Sequence, residues 1–195
     1  MGAIPTAYLF GKYLKGIDIR QHGSGNVGAT NVFRVLGKGP GFAVLFLDIL
    51  KGFLAVVLVT KIIQLDGIVP VLVMAVSVVC GHNWTIFLGF KGGKGIATSL
   101  GALIGLTMII KSMGVVVFAV IFIWGVTFFI YRYVSLSSII AAIFLPVLMV
   151  LTNQPLPLIT LGVILGIVVV LRHRPNIRRL LAGREPKVPL NFVKK

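Results

Sequence analysis

Long apolar stretches alternate with short polar segments along the whole chain. Seven apolar stretches can be distinguished, at residues 2–14, 40–61, 67–81, 96–110, 113–131, 135–152 and 156–171. A helix that crosses a bilayer needs about 20 mainly apolar residues, so the second, fifth, sixth and seventh stretches qualify and the third and fourth are somewhat short. The first is too short for a full crossing, and we interpret it as a span with a clipped start. The pattern predicts an all-α integral membrane protein with about seven transmembrane helices, forming a single polytopic domain over residues 1–195.

The composition mainly excludes other classes of protein. Hydrophobic residues make up 57% of the chain and charged residues 12%, which is more apolar than soluble domains are. The net charge of +15 would raise the question of nucleic acid, but the basic residues lie at the ends of the apolar stretches, where anionic lipids or substrates explain them better. We therefore expect membrane lipid as a partner and no nucleic acid. The single cysteine, Cys80, excludes a disulfide framework within one chain.

The distribution of lysine and arginine predicts the orientation. Five basic residues lie between residues 12 and 38, two follow the third stretch, one follows the fifth, and a dense basic tail follows the seventh. The remaining connections carry at most one lysine each. Because basic connections stay in the cytoplasm, the N-terminus is expected outside and the C-terminus in the cytoplasm.

Three polar segments interrupt the apolar pattern. We call them the first, second and third islands: residues 22–34 (HGSGNVGATNVFR), 81–95 (GHNWTIFLGFKGGKG) and 171–185 (LRHRPNIRRLLAGRE). The predicted topology brings all three to the cytoplasmic side. Segments rich in glycine, asparagine and basic residues beside a bilayer indicate binding of phosphate-bearing molecules at the membrane surface.

The first island matches the glycine spacing G-x-G-x-x-G over residues 23–28, with Asp48 about 20 residues later. A dinucleotide site is excluded, because it needs a preceding strand and a soluble parallel sheet, whereas Asp48 lies inside a predicted membrane helix. The glycines instead allow backbone N–H groups to converge on an anion, and Arg34 adds a guanidinium. Further donors are Ser24, Asn26, Thr30 and Asn31. The alternative is a juxtamembrane turn followed by an interfacial helix with no ligand. The combination of glycine, asparagine, threonine and arginine favours ligand binding over this alternative.

The second island ends in a glycine loop, residues 89–95, that resembles a Walker A loop only superficially. Leu88 stands where that motif requires glycine, and Gly95 stands where it requires serine or threonine, so no ATPase is implied. A glycine loop that leads into a helix N-terminus still suits a phosphate, with Lys94 as a point charge. A loop that only sets topology would explain the lysines but not the glycines. His82 fits a structural role as well as a catalytic one.

The third island places Arg172, His173, Arg174 and Asn176 at the end of the last stretch. Basic tails in this position commonly bind anionic lipid, which is the alternative to a catalytic role. That alternative does not require His173 and Asn176, which have the i, i+3 spacing of one helix face.

Two groups of polar residues remain. Asp48 and Lys51 lie one turn apart inside the second stretch, where each unpaired charge would cost about 2.5–3.5 kcal/mol. They are therefore expected to pair structurally or to face a polar cavity. Ser135, Ser137 and Ser138 follow Arg132; helix capping is their expected role, and contact with a substrate is the alternative. The three histidines and four carboxylates form no metal-ligand cluster in the sequence, and no cofactor is implied.

Taken together and in this order, the islands resemble a known family. The matching segments are residues 23–34, 81–83, 90–95 and 172–174, then Asn176, Ile177 and residues 183–185, with residues 48–52 and 132–137 as further matches. Over nearly its whole length the chain is similar to the bacterial acyl-phosphate:glycerol-3-phosphate acyltransferases, the PlsY family. Members usually carry additional residues before the position of Gly2, a difference that affects only the first helix.

The resemblance implies a multi-pass enzyme of the bacterial inner membrane. Such an enzyme transfers a fatty acyl group from acyl phosphate to the sn-1 hydroxyl of glycerol 3-phosphate, yielding lysophosphatidic acid and phosphate, the first step of phospholipid biosynthesis. No coenzyme A ester and no obligatory protein partner are implied. An acyl phosphate is a mixed anhydride with a good leaving group, so no covalent acyl-enzyme is needed.

The resemblance also implies roles for the site residues. Ser24, Arg34, Lys94, His173 and Asn176 are expected to be catalytic; Gly25, Asn26, Gly28, Thr30, Asn31, Gly92, Gly93, Gly95, Ser135, Ser137 and Arg172 to bind substrate phosphates; and Asp48, Lys51 and Glu185 to be structural. The loop with Lys94 would hold glycerol 3-phosphate, and the first island would cradle acyl phosphate. His173 and Asn176 would orient the acyl phosphate or the attacking hydroxyl.

Two alternatives stay open. The proton of the attacking hydroxyl passes either to His173 or to the phosphate of the donor itself. A small transporter for an organic phosphate would share the cationic sites and the spans. Against a transporter, all three polar islands are expected to face one side of the membrane.

Overall fold

The structure, a computed structural model, describes residues 1–62 and 67–188, except the side chains of residues 59 and 60. In these ranges the regular secondary structure is entirely helical, with no strand. The α-helices are α1 (Thr6–Lys15), α2 (Ala29–Val35), α3 (Lys38–Ile62), α4 (Val69–Asn83), α5 (Ile96–Thr107), α6 (Met113–Tyr131), α7 (Val134–Leu151), α8 (Leu156–Arg172) and α9 (Arg174–Leu181). Short 3-10 turns at Ile19–Gln21 and Ile86–Leu88 lie in the connections. The all-α prediction is confirmed, and each predicted apolar stretch contains a helix.

Several of these helices are long and apolar enough to cross a membrane. Among the described residues, four segments meet both requirements: Lys38–Leu58, Val69–Leu88, Met113–Tyr131 and Val134–Leu151. A fifth is added if α8 and α9, which are bent by 59° relative to each other, are counted as one span. Helices α1 and α5 have 10 and 12 residues, so at 1.5 Å per residue they cover about 15 and 18 Å. The structure thus supports four or five spanning helices by length and composition.

The chain divides into two compact units, Met1–Gly114 and Val115–Lys195, the second described up to residue 188. In the first unit, α3 and α5 approach each other unusually closely. A Cβ atom on Gly52 would overlap the carbonyl oxygen of Thr98, and one on Gly101 would overlap that of Ile49. Small residues allow such backbone contact between apolar helices. This contact holds the beginning of α5, and with it the second island, in place.

A small apolar core lies beneath the first island. It consists of the buried side chains of Ala7, Ile19, Val27, Val32, Val44 and Leu88. Val27 and Val32 belong to the island itself, and Leu88 belongs to the second island. Burying them fixes the polar residues that alternate with them. The core therefore positions parts of both islands within the first unit.

In the second unit, α7 packs against α8 and forms a side-chain hydrogen bond with α6. A Cβ atom on Gly166 of α8 would lie 2.9 Å from the carbonyl oxygen of Ala142 in α7, so a glycine is needed for this approach. The Trp124 indole of α6 donates a hydrogen bond to Ser138 Oγ of α7 at 3.2 Å. This packing places the end of α8, where the third island begins.

The expectation that serines cap α7 is wrong. The N-cap residue is Tyr133, and no side chain forms a capping hydrogen bond there. Ser137 Oγ instead donates to the Tyr133 carbonyl at 2.9 Å, the i−4 bond that serine commonly forms within a helix. Ser135 donates to a residue of the third island, as described below.

Candidate active site

The loop of the first island is closed by Asn31. Its Oδ1 accepts the backbone N–H of Ser24 at 2.7 Å, and its Nδ2 donates to the carbonyls of Ile19 at 3.2 Å and His22 at 3.0 Å. Asn31 is fully buried. Its carboxamide therefore shapes the loop from beneath, and a direct contact with a ligand stays a prediction.

The other predicted ligands of the first island lie closer to the surface. The side chains of Ser24 and Arg34 are exposed, and those of Asn26 and Thr30 are half-buried. Gly25 has a φ of +69°, a left-handed conformation that glycine adopts without strain, and it makes the turn that presents Ser24. These side chains are at least partly exposed, and their contact with an anion stays a prediction.

The glycine loop of the second island folds back onto the end of α4. The Gly92 N–H donates to the Asn83 carbonyl and the Gly93 N–H to the His82 carbonyl, both at 3.1 Å. A Cβ atom on either glycine would overlap His82. Glycine is needed here because the loop backbone lies against another backbone. The loop ends at Gly95, directly before α5, whose first N–H groups have no partner within the helix.

Buried polar atoms without partners lie next to this loop. In the part of the chain that the structure describes, both side-chain atoms of Asn83 and the hydroxyls of Thr98 and Ser99 form no hydrogen bond. Asn83 is fully buried against Gly95, where a Cβ atom would lie 2.7 Å from Asn83 Oδ1. Leaving a buried polar group unpaired costs about 1–3 kcal/mol, so water or a ligand is expected nearby.

None of these three residues was among the site residues predicted from sequence. The signal that could have found Thr98 and Ser99 is the pair of hydroxyl residues that follows the glycine loop inside an apolar stretch. Asn83 lies in the family-like segment 81–83, which assigns it no role of its own. The sequence does not show that these three residues are buried, because asparagine, threonine and serine are also common on exposed surfaces.

The ion pair expected between Asp48 and Lys51 is present and extends further. Lys51 Nζ lies 2.7 Å from Asp48 Oδ1, 3.0 Å from the Ile4 carbonyl oxygen and 2.8 Å from His82 Nδ1. Asp48 Oδ1 also accepts the Thr6 hydroxyl at 2.6 Å. The pair therefore joins the N-terminal segment to α3 and α4.

Glu185 is the centre of the third island. Its Oε1 accepts Ser135 Oγ at 2.7 Å and Asn176 Nδ2 at 2.6 Å, and its Oε2 accepts Arg179 Nε at 2.7 Å. Burial acts to raise the pKa of the Glu185 carboxyl, but the hydrogen bonds from Asn176, Ser135 and Arg179 outweigh it and the pKa is lowered. These contacts are those of a residue that ties the basic tail to the helices. They also engage Ser135 and Asn176, both predicted to contact substrate.

His173 lies at the bend between α8 and α9 and is buried. Its Nδ1 is 2.8 Å from the carbonyl oxygen of Val169. Because a carbonyl oxygen only accepts, Nδ1 must carry the proton, and in the neutral imidazole the basic nitrogen is Nε2. The neighbouring Arg172 is half-buried. The histidine is thus held in the tautomer that a general base requires.

The predicted site residues divide between the two units. The first contains Ser24, Gly25, Asn26, Gly28, Thr30, Asn31, Arg34, Asp48, Lys51, Gly92, Gly93, Lys94 and Gly95, and the second contains Ser135, Ser137, Arg172, His173, Asn176 and Glu185. Within the first, Asn31 binds the Ser24 backbone, and the glycine loop packs against His82. Within the second, Ser135 and Asn176 meet at Glu185, while Ser137 is bonded to its own helix.

Known proteins are similar to this chain over almost its whole length. A family model described as glycerol-3-phosphate acyltransferase matches residues 1–183. The glycerol-3-phosphate acyltransferase of Trichormus variabilis is 46% identical over 203 residues, covering 96% of this chain and 87% of the relative. Glycerol-3-phosphate acyltransferase 2 of Moorella thermoacetica is 46% identical over 188 residues, covering 96% and 92%.

Solved structures are similar as well. The crystal structure of PlsY (YgiH), an integral membrane glycerol 3-phosphate acyltransferase, in its glycerol 3-phosphate form superposes with a TM-score of 0.84 at 38% identity, covering 96% of this chain and 92% of that one. Its lysophosphatidic acid form gives a TM-score of 0.83. The family model and these relatives match almost the full length of the chain, which therefore belongs to the PlsY family of integral membrane glycerol-3-phosphate acyltransferases.

Proposed function

We propose that this protein transfers a fatty acyl group from acyl phosphate to the sn-1 hydroxyl of glycerol 3-phosphate. The products are lysophosphatidic acid and inorganic phosphate, and the reaction is the first step of phospholipid biosynthesis. The observation that carries the proposal is the similarity, over 96% of this chain, to an acyltransferase solved in its glycerol 3-phosphate form. The arrangement of the islands supports it.

Glycerol 3-phosphate binds at the glycine loop that precedes α5. The phosphate, with a charge of about −1.5 to −2, meets the N–H groups at the start of α5, and Lys94 adds a positive charge. The half-buried position of Lys94 strengthens its interaction with an anion relative to a fully exposed lysine. Gly92 and Gly93 hold the loop against the end of α4, and Gly95 leads the chain directly into the start of α5.

The acyl phosphate binds at the first island. Arg34 and the Ser24 hydroxyl are exposed there and act as donors to the phosphate, with Thr30 and Asn26 beside them. The backbone of Gly25 and Gly28 allows close approach. In the described residues no base contacts Ser24 Oγ, so Ser24 binds the donor and does not become acylated. The acyl tail remains among the apolar helices.

The third island supplies the proton acceptor. With Nδ1 hydrogen-bonded to Val169, Nε2 is the nitrogen of His173 that accepts the proton of the attacking hydroxyl. Arg172 and Asn176 orient the reacting groups. The phosphate of the donor is the second acceptor that fits the chemistry, and replacing His173 separates the two routes. In both routes the hydroxyl attacks the acyl carbon directly. The bond between the acyl carbon and the bridging oxygen breaks, and phosphate leaves with its electron pair.

The enzyme acts at the cytoplasmic face of the bacterial inner membrane. We propose that α1, α3, α4, α5, α6, α7 and α8 are the seven membrane helices of one polytopic domain, with the N-terminus outside and the C-terminus in the cytoplasm. The positive-inside rule supports this orientation and assigns all three islands to the same side. No cofactor or further protein is part of the proposal.

Phosphate release tests the proposed reaction. Purified protein in detergent is given palmitoyl phosphate with and without glycerol 3-phosphate, and palmitoyl-CoA replaces palmitoyl phosphate as the control. We expect phosphate release only with both substrates, formation of lysophosphatidic acid, and no reaction of the CoA ester. Turnover with palmitoyl-CoA would contradict the proposal that acyl phosphate is the donor. If neither donor gave turnover, the proposed acyl transfer itself would be contradicted.

The transporter alternative finds less support in the structure. A path for an organic phosphate needs polar groups through the depth of the membrane. Asp48 and Lys51 are the strongest such groups in the sequence, and both are bonded inside the first unit. If the protein moved glycerol 3-phosphate into liposomes without forming lysophosphatidic acid, the transporter would replace the enzyme.

A further inference from the structure

Lys51 uses all three of its ammonium protons inside the protein. Its Nζ lies within hydrogen-bond distance of Asp48 Oδ1, the Ile4 carbonyl oxygen and His82 Nδ1, at 2.7, 3.0 and 2.8 Å. An ammonium group has three donors and no lone pair. The nitrogen Nδ1 of His82 must therefore accept from Lys51. The neutral imidazole then carries its proton on Nε2, the opposite tautomer to that of His173.

The Nε2 side of His82 borders both islands of the first unit. A Cβ atom on Gly93 would overlap His82 Nε2 and would lie 2.6 Å from the carbonyl oxygen of Val27. The Gly93 N–H also donates to the His82 carbonyl at 3.1 Å. His82 thus contacts the glycine loop with its backbone and its ring, beside a carbonyl of the first island. Its side chain is buried.

We propose that Asp48 and Lys51 fix the tautomer of His82, and that the Nε2–H of His82 holds the glycine loop against the Val27 carbonyl. His82 is a positioning residue, and Asp48 and Lys51 act through it. The opposite tautomer would turn a lone pair toward a carbonyl oxygen, which repels it and loosens the loop. The consequence for substrate rests on the proposed function, since the glycine loop is the proposed site for glycerol 3-phosphate.

Two variants of His82 separate positioning from simple pairing with Lys51. Asparagine reaches only the Nδ1 position and keeps an acceptor for Lys51, whereas glutamine reaches the Nε2 position and keeps a donor toward the loop. We expect His82→Asn to raise amide hydrogen exchange in residues 91–95 by about tenfold, and His82→Gln to raise it much less. If pairing with Lys51 were the whole role, the order of the two variants would be reversed.

Thr6→Val is the matched control. It removes a bond to Asp48 from the same network but leaves His82 in contact with Lys51. We expect it to lower thermal stability while exchange in residues 91–95 stays at the wild-type level. Faster exchange in Thr6→Val, equal to that in His82→Asn, would show that any weakening of the network loosens the loop and would overturn the proposal.

The tautomer of His82 can also be measured in the wild-type protein, so this test does not depend on whether a variant folds. Nitrogen-15 NMR of labelled histidine distinguishes the two tautomers, and we expect protonation at Nε2 for His82 and at Nδ1 for His173. Protonation of His82 at Nδ1 would overturn the proposal.

Kinetics connect the loop to the substrate. His82→Asn should raise KM for glycerol 3-phosphate about tenfold, with kcat and KM for acyl phosphate within about twofold of wild type, because the loop binds only one substrate. His82→Gln should restore most of the affinity. A fall in kcat with unchanged KM would overturn the link to binding. If the wild-type protein transfers no acyl group, the proposed function fails, and exchange and NMR still decide the role of His82.

Discussion

Individual buried charges in this protein are held by groups of hydrogen bonds. Glu185 accepts from Ser135, Asn176 and Arg179, and Lys51 donates to three acceptors in the first unit. A buried charge is tolerated only when its partners replace the water that it loses. At the scale of the residue, removing one partner therefore has consequences for all the others.

Replacing Glu185 should destabilise the fold. In Glu185→Gln the amide nitrogen is a donor that faces donors from Ser135, Asn176 or Arg179. We expect the free energy of unfolding to fall by about 1–3 kcal/mol, measured by thermal unfolding in detergent. The control is Asp18→Asn, which alters an exposed ion pair with Arg20 and should change stability by less than about 0.5 kcal/mol. A folded Glu185→Gln protein of wild-type stability that lacks activity would contradict the structural role.

The same carboxyl makes stability depend on pH. The pKa of Glu185 in the folded protein lies below its unfolded value of about 4.3. Its contribution is complete above that unfolded value and is lost as the pH falls through the folded-state pKa. The Tm of the wild type should therefore fall below about pH 4.3 more steeply than that of Glu185→Gln. If Tm fell equally with pH in both proteins, the hydrogen-bond partners of Glu185 would not stabilise its charged form.

His173→Ala distinguishes the two proton acceptors. If Nε2 of His173 is the base, kcat at saturating substrates should fall by about 100-fold or more, which is the result we expect from its fixed tautomer. Steady-state phosphate release provides the measurement. Most of the turnover would be retained if the donor phosphate takes the proton. His22→Ala, at an exposed histidine of the first island, serves as the control for histidine loss.

At the scale of the elements, glycines determine which helices touch. Helices α3 and α5 approach so closely at Gly52 and Gly101 that a side chain would meet the backbone of the neighbouring helix. In an apolar environment, helix association depends on this packing and not on the exclusion of water. The position of the glycine loop follows from it, because the loop is continuous with α5.

Gly101→Ala should separate α3 from α5. The new methyl group would overlap the Ile49 carbonyl, and overpacking of this kind costs about 1–3 kcal/mol. We expect a lower Tm and a higher KM for glycerol 3-phosphate. Gly125→Ala in α6 is the control, since a Cβ atom there meets nothing within 4 Å and alanine favours a helix. Equal effects of both variants would argue that close packing of α3 on α5 is unimportant.

At the scale of the whole molecule, the number of membrane crossings depends on the short helices. Four or five helices are long and apolar enough to cross, whereas α5 covers about 18 Å at 1.5 Å per residue. The proposed topology requires α5 to carry the chain from the cytoplasmic to the outer side. Short helices can do so where the connections at their ends enter the membrane or where the bilayer thins.

Labelling of single cysteines tests this crossing. In a protein with Cys80→Ala, cysteine replaces either Lys91 before α5 or Lys111 after it, both of which are exposed. We expect a membrane-impermeant maleimide to label position 111 in cells with a permeabilised outer membrane. Position 91 should react only after the inner membrane is disrupted. Labelling of both positions under the first condition would contradict the seven-helix topology.

The sequence by itself determined the helical class, the approximate bounds of the helices and the place of the three islands. These are local properties, because apolar runs and glycine segments can be recognised without knowing what they contact. Family membership also followed from local motifs. The predicted pairing of Asp48 with Lys51 belongs here too, since the two lie one helical turn apart.

Only the tertiary structure decided which polar groups meet. Asn31 holds its own loop, Asn83 is buried with no side-chain hydrogen bond to any described residue, and Ser135 binds Glu185 rather than capping its helix. Lys51 reaches His82, 31 residues away, and Ser135 reaches Glu185, 50 residues away. Helix packing determines which of these distant residues come together. A hydrogen bond requires a separation of about 3 Å, and no sequence pattern specifies that distance. The hydrogen-bond partners of Nδ1 in His82 and His173 therefore follow from the fold.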